Sequence, residues 1–97
     1  MDAVILEDMT EAAREEMDRA CTLGWAQLNG CTPWGDVYEG FTPRGRRVLF
    51  ERSYLWADEP GGDILLELVV YESAATYDEG VRLERHIRQG AAGCDAD

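Results

Sequence analysis

The sequence predicts an α+β fold, a two-layer sandwich in the order helix, three-stranded antiparallel meander, helix. Three observations predict it. Two long β-rich runs, RRVLFERSYLW (46–56) and ILLELVVY (64–71), are separated by the turn-forming ADEPGGD. A segment on either side of that pair places apolar residues at three- and four-residue steps, the period of a helix. A chain of 97 residues has room for a single domain, residues 1–97, so those two segments must cover the sheet. The ends, 1–7 and 90–97, are expected to be loosely ordered.

Residues 8–30 form the first expected helix. Asp8 caps it, with Glu11 as its capping-box partner. Met9, Ala13, Met17, Ala20, Gly24 and Leu28 make the apolar stripe, and Gly30 ends it. Glu7, Glu11, Glu15 and Asp18 stack on the other side, where Arg19, four residues after Glu15, relieves part of their repulsion. The run Val4-Ile5-Leu6 reads equally as a helix lead-in or as a fourth, edge strand. Residues 31–36 (CTPWGD) form a loop broken by Pro33 and Gly35, with Trp34 between them.

Residues 37–41 are a short strand and 42–45 a turn. Within 46–56, Val48, Phe50, Tyr54 and Trp56 take the core side, interrupted by Arg52. Residues 58–63 close the hairpin. The strand 64–71 is apolar on both faces, so its second side needs cover. A second copy of the chain could supply it, as a homodimer through the second face of the sheet. Residues 73–89 read as the second helix, with Thr76 and Glu79 as a capping box and Tyr77, Val81, Leu83 and Ile87 as its apolar side. Asp78 with Arg82, and Glu84 with Arg88, are spaced as helical acid–base pairs. Gly90 ends the helix and 91–97 is a frayed tail.

Charge narrows function further than any motif. Twenty acidic residues face nine basic ones, all arginine, for a formal net charge of −11. Phosphate backbones and anionic lipid repel such a chain, which argues against direct contact with nucleic acid or a membrane surface. Cys21, Cys31 and Cys94 with the lone His86 lack the spacing of a zinc site and read as reduced thiols. No apolar run approaches the roughly 18 residues that span a bilayer. Acids, not bases, flank Val4-Ile5-Leu6, so it is not a signal peptide, and the chain is placed in a cytoplasm. No nucleophile–base pair, phosphate loop or calcium loop can be read. No catalytic residue, cofactor or metal is therefore expected.

The element order resembles that of the double-stranded-RNA-binding domain. Such domains grip phosphate at the start of the last helix, which here reads Ala74-Ala75-Thr76-Tyr77-Asp78-Glu79 and would repel RNA. In size, charge and layout the chain resembles the small acidic inhibitors carried by phages, above all anti-CRISPR proteins. That resemblance implies a non-catalytic binder that occupies the basic groove of a nucleic-acid-handling complex, such as a CRISPR effector, by nucleic-acid mimicry. Contacts are expected from Glu7, Glu11, Glu15 and Asp18 on the helix, and from Asp58, Glu59 and Asp63 at the hairpin tip. Trp34 is the expected apolar anchor. Two other readings stand beside it. One is an acidic accessory domain of a salt-adapted organism. The other is a small dimeric ligand-binding protein or enzyme with a pocket lined by Tyr38, Tyr54, Trp56 and Tyr71.

Overall fold

In the computed structural model, which describes residues 2–94, the chain forms α1 (Ala3–Cys21), α2 (Trp25–Leu28), β1 (Trp34–Phe41), β2 (Arg47–Trp56), β3 (Ile64–Tyr71), a 3-10 helix (Ala74–Glu79) and β4 (Val81–Ile87). The strands make one sheet in the order β1-β2-β3-β4, each antiparallel to its neighbour. The fold is α+β, as expected. Its meander has four strands rather than three, and the fourth stands where a second helix was expected.

That difference has a local cause. Val81, Leu83 and Ile87 alternate with exposed Arg82, Glu84 and His86, which is the two-residue period of a strand. Gly80 lets the chain pass close to β3, since a Cβ there would lie 2.7 Å from the Val70 carbonyl oxygen. Arg82 does not pair with Asp78. It donates to Glu67 on the neighbouring strand at 3.4 Å and to the Tyr77 hydroxyl at 3.2 Å. The capping box expected of Thr76 and Glu79 forms instead between Ser73 and Thr76. With a strand in last place, the layout of the RNA-binding domain is lost.

α1 begins earlier and ends sooner than its apolar stripe suggests. Asp2 is the N-cap, accepting from the Val4 amide at 2.8 Å. This makes Val4-Ile5-Leu6 helical, and residues 3–7 are ordered turns rather than a loose end. Asp8 is not a cap. It lies inside the helix, 3% exposed, and accepts from the Thr42 hydroxyl and from the Arg44 amide at 3.2 Å, tying α1 to the β1–β2 turn. The helix stops at Cys21, and Leu28 reaches the core from the separate turn α2.

Met9, Ala12, Ala13 and Met17 of α1 pack on Val48, Phe50, Tyr54, Ile64, Leu66, Leu68, Val70, Val81 and Ile87. Strand register puts all of these sheet residues on one face, and burying each large apolar side chain stabilises by roughly 1.5–3 kcal/mol. α1 lies over β3 and β4. The other face carries Val37, Phe41, Leu49, Leu55, Leu65, Val69 and Tyr71. The 3-10 helix covers part of it. The Tyr77 ring packs edge-on against Tyr71 with centroids 4.9 Å apart, and its hydroxyl donates to Glu51 at 2.8 Å. Some of the cover expected from a second copy is therefore intramolecular, and it lies over the buried Tyr71.

Residues 90–94, expected to fray, are held. Cys21 and Cys94 form a disulfide with Cα atoms 4.9 Å apart, correcting the expectation of separate reduced thiols. The Trp25 amide donates to the Ala91 carbonyl at 2.8 Å, and the Cys94 amide to the Cys21 carbonyl at 3.3 Å. Cys31 is free and exposed. The remainder of the expected loose ends, Met1 and 95–97, lies outside the described residues. Among the described residues, no helix is long and apolar enough to cross a membrane.

Candidate functional site

The four carboxylates expected on the first helix do share a face. α1 turns by 3.6 residues, so Glu7, Glu11, Glu15 and Asp18 form a ladder spanning about 16 Å at 1.5 Å per residue. All four are exposed, opposite the buried Met9, Ala13 and Met17. Arg19 acts on Glu15 only at a distance, as a charge without a direct ion pair. Its direct contact is Glu16, with a hydrogen bond of 3.1 Å from its Nε, and its own side chain stays exposed. Arg14 borders the ladder and makes no ion pair with it among the described residues. The ion pairs fall elsewhere, on Glu16, Asp36, Glu39, Glu67 and Glu72. Five arginines are thus held by carboxylates other than the ladder's, and with Arg14 as the one base beside four acids the outer face of α1 stays net negative.

The other predicted contacts sit on different elements. Asp58 and Glu59 are exposed at the β2–β3 tip, whose carbonyl at Gly62 accepts the Trp25 indole N–H at 2.8 Å. Gly61, at φ 85°, makes the tip turn. Asp63 has a structural use, accepting from the Gln89 amide at 2.9 Å. Trp34 opens β1, is 36% exposed, and packs against Tyr54 with the rings tilted by 31° and centroids 4.8 Å apart. Its ring is half committed inside the fold, so it is a weaker anchor than a free indole.

The residue missed as a centre is Arg52. It interrupts the core face of β2 opposite Asp36 of β1. Its guanidinium grips Asp36 in a two-pronged pair, with Nε to Oδ1 at 2.8 Å, and reaches Glu16 at 3.2 Å. It also lies over the rings of Tyr38 and Trp34, 4.6 and 5.1 Å from their centroids. Glu16 is the most enclosed charge here, its side chain 8% exposed, and its second oxygen takes Arg19. The charges explain one another. The Arg52 hydrogen bond holds Asp36 below the usual carboxylate range, and Asp36 in turn raises Arg52. The only chemical signal in the sequence was an arginine at an inward strand position, which demands a carboxylate partner.

A cleft of about 270 Å³ opens beside this centre, lined by Glu16, Arg19, Ala20, Leu23, Tyr38, Arg52 and Tyr54. Its charged groups are already paired with each other. Tyr71 is not part of it, because it faces the opposite side of the sheet from Tyr38, Tyr54 and Trp56. The aromatic pocket expected from those four residues therefore does not exist as one space. An open groove of about 510 Å³ at the other end collects Arg44, Arg46 and Arg47 with Val4, Ile5, Asp8 and Glu72. Of its arginines, Arg46 pairs with Glu72 at 3.2 Å and Arg47 with Glu39 at 3.3 Å. Among the described residues, no group of three or more His, Cys, Asp or Glu could hold a metal ion.

Burial first, and then the neighbouring Glu16 carboxylate, push the Tyr38 phenol up from 10.0 to about 12. Folding thus favours the neutral phenol. That contribution is whole below the ordinary phenol value and is lost as pH rises through about 12. An alkaline titration followed by phenolate absorbance should show a step near pH 12 that Tyr38→Phe removes. A Tyr38→Phe profile identical to the wild type would show that this tyrosine ionises with the others.

Comparison with known proteins returned no matching family, curated protein or solved structure. The functional reading therefore rests on geometry and charge.

Proposed function

We propose that this is a small acidic binding protein that docks the outer face of α1 into a basic groove of a nucleic-acid-handling protein and so excludes the nucleic acid. The observation that carries the proposal is the exposed ladder of Glu7, Glu11, Glu15 and Asp18, which meets no ion-pair partner among the described residues, while Arg19, Arg46, Arg47, Arg52 and Arg82 pair with other carboxylates. A groove that binds phosphates presents Arg and Lys at regular intervals. Carboxylates on a rigid helix can accept the same charge-assisted hydrogen bonds. Opposite charge also speeds encounter. The hairpin-tip acids Asp58 and Glu59 extend the negative surface, with Trp34 as a secondary apolar contact. A CRISPR effector is one target of this chemistry. A cytoplasmic target would place the Cys21–Cys94 bond in a reducing compartment, where such bonds are open to reduction.

The test is capture from source-cell lysate by wild type and by the quadruple variant E7Q/E11Q/E15Q/D18N. All four positions are exposed, so the fold should be unaffected. The variant should lose roughly 30-fold or more in affinity for the captured protein. Binding by the wild type should weaken steeply with salt, and the wild type should displace nucleic acid from its partner. Equal capture by both forms, or binding indifferent to salt, would remove the proposal.

A further inference from the structure

β1 lies at an edge of the sheet without the guards that edge strands usually carry. Its sequence WGDVYEGF contains no lysine and no proline. Its two acids are both cancelled by β2, Asp36 by Arg52 and Glu39 by Arg47. The other edge, β4, reads VRLERHI and is guarded by charge along its length.

Register turns this edge into a specific geometry. The Thr42 amide donates to the Arg46 carbonyl at 2.9 Å, at the turn end of the β1–β2 ladder. Hydrogen-bonded pairs alternate along an antiparallel ladder. Gly40, Tyr38, Asp36 and Trp34 therefore bond to β2, and the backbone groups of Phe41, Glu39, Val37 and Gly35 point away from the sheet. Val37 and Phe41 are also exposed apolar side chains, 52% and 63% accessible.

We propose that two copies of this chain pair β1 with β1, antiparallel about a twofold axis at Val37, to make one continuous sheet. In this register Val37 meets Val37 of the second copy, Asp36 meets Tyr38, Glu39 meets Gly35, and Trp34 meets Gly40. An axis at Glu39 would set two carboxylates opposite each other. An axis at Val37 avoids that and gives each β1 glycine a larger cross-strand neighbour. The occupant is a second copy because a chain of net charge −11 repels itself wherever its acids are open, and on this edge they are cancelled. Pairing an edge with itself also closes the assembly at two chains. The axis is normal to the sheet, so both α1 helices lie on the same side. One strand pair makes a small interface, which implies reversible association in the micromolar range.

Sedimentation equilibrium of the full chain tests it. At high micromolar concentration the mass should approach twice 10.9 kDa and fall on dilution. Val37→Pro removes an outward N–H that the monomer does not use, a place where an edge strand tolerates proline. It should lower the association constant about tenfold or more. In a Cys31→Ser background, Val37→Cys should yield an oxidant-dependent covalent dimer. Monomer mass at every concentration, a dimer indifferent to Val37→Pro, or a dimer whose Val37→Cys form does not cross-link would overturn the proposal.

Discussion

Arg52→Met is expected to destabilise the protein by about 2–3 kcal/mol, lowering the melting temperature by about 10–20 °C in a domain of this size. Methionine keeps much of the side-chain volume, so the loss reports charge rather than a cavity. What remains is Glu16, its side chain 8% exposed, supported only by Arg19, and Asp36 without its two-pronged partner. Removing one member of a fully buried pair costs about 3–5 kcal/mol. The lower figure applies because the Arg52 side chain is 27% and that of Asp36 34% exposed, so water screens part of the effect. A double-mutant cycle separates this from packing. Adding Glu16→Gln to Arg52→Met should cost about 1 kcal/mol less than the sum of the two single changes. Acid gives a second readout. Asp36 is held below the usual carboxylate range, so its contribution is whole above that range and is lost as pH falls through its lowered value. Arg52→Met should flatten that part of the acid limb. Additive single changes would show that the centre is an incidental surface cluster.

The parts of the fold that were legible share a physical character. β3 is legible at its observed bounds and β2 within one residue, because runs rich in β-branched, aromatic and aliphatic residues bounded by turn signals need no knowledge of their neighbours. The acidic ladder was legible for the same reason, since a four-residue spacing becomes a face once α1 is granted. β4 is not, because Tyr77 with Val81 and Leu83 with Ile87 have the four-residue spacing of a helix, as do the acid–base pairs, while the two-residue alternation over 81–87 is short. Contact with β3 and the close approach at Gly80 decided otherwise, and both are tertiary facts. The Arg52 centre was visible only as a gap in a core face. Its partners lie 16 and 36 residues earlier, on two different elements. Asp8 was misplaced by the reverse error: a residue type that suits a cap was instead satisfied across the fold, by Thr42.

The acidic ladder and the Arg52 centre are coupled through one choice of partners. Glu15 and Glu16 are adjacent on α1, yet one faces solvent and the other is enclosed. The helix twist sends Glu16 toward the sheet, where it draws in Arg19 and Arg52. Without Glu16, Arg19 would be free to swing outward to Glu15 and partly neutralise the ladder. The enclosed carboxylate thus stabilises the fold and also keeps the outer face of α1 negative.

Reduction of the Cys21–Cys94 bond, or Cys94→Ala, is expected to cost about 2–4 kcal/mol. The bond closes a loop across a sequence separation of 73, for which the chain-entropy model gives an upper figure of roughly 4 kcal/mol. In the unfolded chain it removes the largest loop available among the three cysteines. In the folded chain it pins residues 90–94 across the end of α1, where the Ala91 carbonyl receives the Trp25 amide. Losing it should therefore act in two stages. The tail and α2 should loosen first, seen as a change in Trp25 fluorescence, because the Trp25 indole is tied to Gly62 at the hairpin tip. The global melting temperature should then drop by about 10–20 °C. Cys31→Ala is the control. That residue is exposed, forms no disulfide and makes only a weak thiol contact of 3.5 Å to the Leu28 carbonyl, so stability should stay within about 0.5 kcal/mol of wild type. Thiol titration checks the premise, since the native oxidised protein should react at Cys31 alone and the reduced, unfolded protein at all three cysteines. Three reactive thiols in the native protein, or a melting temperature unmoved by reductant, would mean that hydrogen bonds to Cys21 and Ala91 hold the tail without the covalent link.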